Sequence, residues 1–118
     1  MVLVDTSVWV AHLRGGKIGL DVLLRDGHVI CHTCVIGELA CGNLKNRNEI
    51  LTLLRALPMA THATHEEVMH FLDSYTLMGK GLGYIDVNLL ASAFLSEIPL
   101  WTLDKKLHNV SLLLGSAY

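Results

Sequence analysis

Short apolar runs ending on an acid or a turn alternate along this chain with longer stretches whose apolar residues fall at helical spacing. Val2-Leu3-Val4 reads as a buried strand that ends at Asp5. Thr6 and Ser7 are good helix N-caps, and Val8 to Arg14 follows as a short helix that Gly15-Gly16 stops. Leu20 to Arg25 is a second predicted helix, closed by Asp26-Gly27, and His28 to Cys31 a second strand. Val35 to Leu44 and Glu49 to Leu57 are amphipathic. So is Glu66 to Met78, with Val68, Phe71, Leu72, Tyr75 and Met78 on one face. Gly79, Gly81 and Gly83 predict a flexible loop before a strongly apolar helix, Ile85 to Leu95. Leu100 to Leu103 is a strand after Pro99, ending at Asp104. Strands alternating with helices predict an α/β fold with a mostly parallel central sheet flanked by helices. Short apolar strands without clean alternation suit a sheet covered on both faces.

A length of 118 residues, with no repeat, linker or low-complexity stretch, predicts a single domain over 1–118. The 52% hydrophobic content against 17% charged residues excludes a disordered chain. It also suggests more apolar surface than one small core absorbs, and hence a partner interface. The formal net charge of −2 gives no global basic field, so any nucleic-acid contact has to come from a local cluster of Lys and Arg. No apolar run reaches the roughly 18 residues of a membrane span. The opening Met1-Val2-Leu3-Val4-Asp5 lacks the basic start and apolar stretch of a signal peptide. Three cysteines, an odd number, point to reduced thiols and a cytoplasmic setting.

Two acids hold the same place in this pattern: Asp5 and Asp104 each end a strand. In open α/β sheets ligands bind beyond the carboxyl ends of the strands, where parallel neighbours bring such residues together. Glu38 and Asp86 sit among apolar residues at helical spacing, where unpaired acids are rare. Carboxylates converging on one site repel, by about 4 kcal/mol for a pair at 4 Å and an effective dielectric of 20. A divalent cation removes that repulsion, and oxygen-only ligands suit Mg²⁺ or Mn²⁺ rather than Zn²⁺. Each acid also has an ordinary reading. Asp5 and Asp104 are acceptable helix caps, Asp86 is favoured near a helix start, and Glu38 fits a half-exposed helix position.

The motifs around these acids resemble those of the PIN-domain family. Val2-Leu3-Val4-Asp5-Thr6-Ser7-Val8-Trp9 is similar to the family's first motif, and Val35-Ile36-Gly37-Glu38-Leu39 to its helical glutamate motif. Gly83-Tyr84-Ile85-Asp86 through Leu89-Leu90-Ala91-Ser92-Ala93 resembles the third, and Leu100-Trp101-Thr102-Leu103-Asp104-Lys105 the last. The likeness runs in family order from Val2 to about Leu107, and the length suits the VapC-type toxins, which are bare PIN domains. The resemblance implies that Asp5, Glu38, Asp86 and Asp104 bind Mg²⁺ or Mn²⁺, supported by Thr6, Ser7 and Thr102. It implies hydrolysis of an RNA phosphodiester, commonly in tRNA or rRNA, by in-line attack of water. It also implies neutralisation by a VapB-type antitoxin whose tail occludes the acids, and a homodimer. One departure is Lys106, which stands where many PIN domains carry a further acid, so a second metal ion is not implied.

Other motifs compete with this reading. Cys31-His32-Thr33-Cys34 is a C-x-x-C between a strand and a helix, the setting of a thiol–disulfide oxidoreductase. Cys31, Cys34, Cys41 and a histidine form a sparse zinc set without a second C-x-x-C. The histidines of His62 to His70 miss the spacing of a zinc protease, because Met69 stands where the second histidine belongs. A PIN-like module that binds RNA without cutting it is a third alternative. Arg14, Lys80, Lys105 and Lys106 are candidate RNA-binding residues beside the acids. Trp9, Phe71, Phe94 and Trp101 read as core.

Overall fold

The computed structural model describes residues 1–118. Ten elements follow in order: β1 (Val2–Val4), α1 (Thr6–Leu13), α2 (Leu20–Arg25), β2 (Val29–Ile30), α3 (Thr33–Cys41), α4 (Arg47–Arg55), α5 (His65–Ser74), α6 (Tyr84–Ser96), β3 (Leu100–Trp101) and α7 (Lys105–Leu113). The sheet order is β2-β1-β3, and both pairings are parallel. Bridges from Cys31 to Met59 and from Leu100 to Ala117 extend it at its two edges. The α/β prediction with a parallel central sheet agrees with this topology. β1 is buried along its whole length because it is the middle strand. α1 and α4 pack against α3, and α5 packs against α6. One core of 27 buried apolar residues joins the sheet to the helices. No helix is long and apolar enough to cross a membrane.

Several boundaries differ from the sequence expectation, each for a local reason. Thr6 and Ser7 lie inside α1, and its N-cap is Asp5, whose carboxylate accepts the Ser7 N–H. α3 begins earlier, at Thr33, because the His32 side chain caps it, and it ends at Gly42 instead of reaching Leu44. The Glu66 to Met78 helix stops at Ser74. There Thr76 turns to a left-handed φ of 52°, which folds Leu77 back into the core and leaves Tyr75 and Met78 exposed. The expected strand Leu100 to Leu103 pairs only through Trp101, and Leu103 is exposed. α7 was absent from the sequence reading. Asp104 caps it, and Leu107 and Val110 anchor it in the core. Phe94, read as core, is 46% exposed and leans on Phe71 and Tyr75 in a surface aromatic cluster.

Candidate active site

The parallel register of β1 and β3 builds the centre of the site. Leu3 pairs with Leu100 and Val4 with Trp101, so the chain leaves both strands at the same edge of the sheet. The Asp5 N–H donates to the Trp101 carbonyl at 2.9 Å, which sets Asp5 beside Thr102. The Thr102 and Ser7 hydroxyls each donate to Asp5 Oδ2 at 2.7 Å, and the Ser7 N–H reaches the same oxygen at 3.4 Å. The two hydroxyls are themselves tied into the next turn of chain. Ser7 Oγ accepts the Leu103 N–H at 2.9 Å, and Thr102 Oγ1 accepts the Asp104 N–H at 3.1 Å. Asp5 is buried, yet this lattice of donors meets the needs of one of its oxygens.

Helix starts carry two more acids to the same edge. Asp86 lies in the first turn of α6, and its Oδ2 accepts the Gly83 N–H at 3.0 Å. Asp104 caps α7, its Oδ1 accepting the Leu107 N–H at 2.9 Å. Burial first, and then the Asp5 and Asp104 carboxylates, push the Asp86 carboxyl above the usual range, against the Gly83 N–H that pulls it down. Asp86 therefore feels both of the other acids. Glu38 joins from α3, its Oε1 accepting the Thr6 hydroxyl at 2.6 Å, and Thr6 is the chain neighbour of Asp5. The structure thus brings together the residues that the sequence singled out: Asp5, Asp86, Asp104, Ser7 and Thr102 at the centre, with Glu38 and Thr6 alongside.

The ordinary reading of three of these acids holds. Asp5, Asp86 and Asp104 serve as caps, and each engages one carboxylate oxygen in doing so. The second oxygen of each, and Oε2 of Glu38, has no protein donor. No cation relieves the charge, since the molecule's one ion pair is Arg25 with Asp21 on the exposed face of α2. An all-oxygen set, oriented by one oxygen and open at the other, fits a hard divalent cation. No three acidic, histidine or cysteine side chains stand close enough to enclose an ion in this arrangement.

The candidate cations frame the acids differently. Arg14 closes α1 and, with Thr6, Glu38 and Lys45, lines a cleft of about 420 Å³ on one flank. Lys80 is exposed in the glycine loop, and Lys105 and Lys106 are exposed in the first turn of α7. Lys45 was not singled out among the site residues in the sequence, because it lies on a different element from the acids.

The cysteine motif serves another purpose. Burial pushes the Cys31 thiol up, and burial and then the Glu38 carboxylate push Cys34 up, opposite to the lowered thiolate a redox pair needs. Its working residue is His32, 1% exposed. Its Nδ1 accepts the Cys34 N–H at 3.0 Å, which leaves the ring proton on Nε2 to donate to Ser92 Oγ at 3.0 Å. Ser92 accepts the Ala63 N–H at 3.3 Å and reaches Asn88 Oδ1 at 3.4 Å. His32 also stacks on His62 at 4.5 Å. This network fastens α3, which carries Glu38, to α6, which carries Asp86. Sequence reasoning missed it because its members are far apart in the chain. The three histidines of the 62–70 stretch, His62, His65 and His70, bond to Thr33, Tyr84 and Ser74 respectively and form no metal set.

Comparison with known proteins bears on the family and the fold. The model of the PIN domain matches residues 2–113. Ribonuclease VapC32 of Mycobacterium tuberculosis, in strains CDC 1551 / Oshkosh and ATCC 25618 / H37Rv, is 46% identical over 108 residues. The alignment covers 91% of this chain and 87% of the relative. Among solved structures, the crystal structure of PAE2754 from Pyrobaculum aerophilum superposes with a TM-score of 0.61. It covers 97% of this chain and 88% of that one at 16% identity, a likeness of fold.

Proposed function

The chain belongs to the PIN-domain family, as a VapC-type ribonuclease, and from that premise we propose that Asp5, Glu38, Asp86 and Asp104 hold a divalent cation, Mg²⁺ or Mn²⁺, for RNA hydrolysis. The observation that carries this is the set of carboxylates at one sheet edge, each fixed by one oxygen and open at the other. A bound cation supplies charge neutralisation at the scissile phosphate and activation of water.

The protein's own groups do the rest. Thr102 and Ser7 fix the Asp5 carboxylate through Oδ2, so its free oxygen is aimed without rotamer loss on binding. The Gly83 N–H and the Leu107 N–H do the same for Asp86 and Asp104. Thr6 holds Glu38. Asp86, whose carboxyl is raised by burial and by the neighbouring acids, gains most from a cation, because the cation removes the repulsion that raises it. Arg14, Lys80 and Lys105 are the cations we assign to RNA phosphates around the acids. The RNA class we propose is tRNA or rRNA. The partner is a VapB-type antitoxin that occludes the acids, with the toxin a homodimer in the cytoplasm.

The test is RNA cleavage by purified protein with Mg²⁺ or Mn²⁺, against EDTA and Asp5→Asn. Asparagine is the better variant than alanine here, because it keeps a side-chain acceptor for the α1 cap. Metal-dependent cuts that vanish in Asp5→Asn support the assignment. RNA bound by the wild type without any cut, whatever cation is added, turns the reading to a non-cleaving RNA-binding module.

A further inference from the structure

The glycine loop and the first turn of α7 touch at one point. A Cβ at position 81 would come within 2.7 Å of Lys106 Cδ, 3.2 Å of its Cε and 3.0 Å of its Nζ. The Lys106 stem therefore lies flat on the bare backbone of Gly81. The contact is tethered to two acids of the site. Lys106 is two residues beyond Asp104, and Gly81 is two residues before Gly83, whose N–H holds Asp86. Lys106 makes no ion pair, so its ammonium is free for a ligand. Its place is costly to folding, since Lys105 and Lys106 both stand in the first turn of α7, where the helix dipole disfavours cations. An anion beside that turn turns the cost into a gain.

We propose that Lys106 is an RNA phosphate-contacting residue, and that Gly81 is side-chain-free in order to hold the Lys106 ammonium against the glycine loop that leads to Asp86. This rests on the nuclease reading of the acids and deepens it. A lysine is a flexible point charge, and laying its stem on the loop fixes where that charge sits before substrate arrives. RNA brought to a cluster of carboxylates then meets a fixed positive charge at its edge.

Gly79 supplies the control. It has a left-handed φ of 74°, close to the 78° of Gly81, but a Cβ there meets nothing within 4 Å. Alanine at either position carries the same backbone strain, and only alanine at 81 displaces Lys106. Single-turnover RNA cleavage and RNA binding are measured for Gly79→Ala, Gly81→Ala, Lys106→Ala and the 81/106 double variant, with melting curves to verify folding. Gly81→Ala and Lys106→Ala are each expected to lose about tenfold in kcat/KM relative to Gly79→Ala. The double variant is expected to match Lys106→Ala, because the two changes remove one thing. The salt slope of RNA binding is expected to fall by about one in Lys106→Ala. Equal cleavage by Gly81→Ala and Gly79→Ala overturns the role of the loop, and wild-type cleavage and salt slope in Lys106→Ala overturn the phosphate contact. If the wild type binds RNA but does not cut it, the metal-nuclease reading fails, while the salt slope still decides for or against Lys106.

Discussion

Acidifying the protein should unfold it through His32. The ring is 1% exposed, and its pKa is lowered from 6.5 to about 4, by burial first and by the charge of the stacked His62 second, with an opposing pull from Asn88. Neutral His32 accepts the Cys34 N–H at Nδ1 and donates from Nε2 to Ser92. A second ring proton would occupy Nδ1 and break the α3 cap. The folded pKa lies below the unfolded one, so the unfolded chain binds the proton more readily. The contribution to stability is complete above pH 6.5 and is lost as the pH falls through about 4. At roughly 1.4 kcal/mol per pH unit the full loss is about 3 kcal/mol, and about 2 kcal/mol of it is gone by pH 5. The assay is urea unfolding of wild type and His32→Asn from pH 7.5 to pH 4. Asparagine preserves an N-cap acceptor but cannot titrate, and it loses the Ser92 bond. His32→Asn is expected to be less stable at neutral pH and to lack the component between pH 6.5 and 4. The same pH dependence in both proteins would refute the reasoning. Because the network ties the Glu38 helix to the Asp86 helix, cleavage is expected to fall in parallel with stability.

Further outcomes follow from the acid cluster. Asp86→Asn keeps an acceptor for the Gly83 N–H while removing a charge repelled by Asp5 and Asp104. It is expected to raise the melting temperature by about 2–6 °C without added cation and to abolish cleavage; a lowered melting temperature would contradict the repulsion. Thr102→Val removes a 2.7 Å donor to Asp5 and the acceptor of the Asp104 N–H. It is expected to cost about 1–2 kcal/mol in unfolding and at least tenfold in cleavage, both restored by Thr102→Ser. Mg²⁺ or Mn²⁺ at about 100 times its dissociation constant is expected to stabilise the wild type by about 2.7 kcal/mol, reversibly with EDTA, and Asp5→Asn far less. Differential scanning fluorimetry reads this, and an equal shift in the variant would place the cation elsewhere.

The grouping of the acids was legible in the sequence because they are marked by local order. An apolar strand directs the residues that follow it to the sheet edge, Asp5 at once and Asp104 three residues on, and an acid in an apolar helix, as at Glu38 and Asp86, draws notice, though Glu38 proves exposed and only Asp86 is partly buried. The parallel sheet was legible for the same reason, since strands alternating with helices admit few other architectures. Helix ends were less so. Asp5 displaced Thr6 and Ser7 as cap, and Thr76 cut the fifth helix short, because ends depend on which backbone groups find partners. α7 had a readable signal in Asp104, Leu107 and Val110 at capping and helical spacing, but the strand before it drew the reading to its acid.

Only the tertiary structure decided the rest. The β1–β3 register sets Thr102 against Asp5, across 97 positions of sequence. Folding, and nothing local, turned His32 from a residue inside a cysteine motif into a strut bonded to Ser92, 60 positions away. The meeting of Lys106 with Gly81 belongs to the same class. Spacing along a chain reports which side chains share a helix face or end a strand. Which of those faces and ends meet is set by burying one core in common, and that is decided by the whole chain at once.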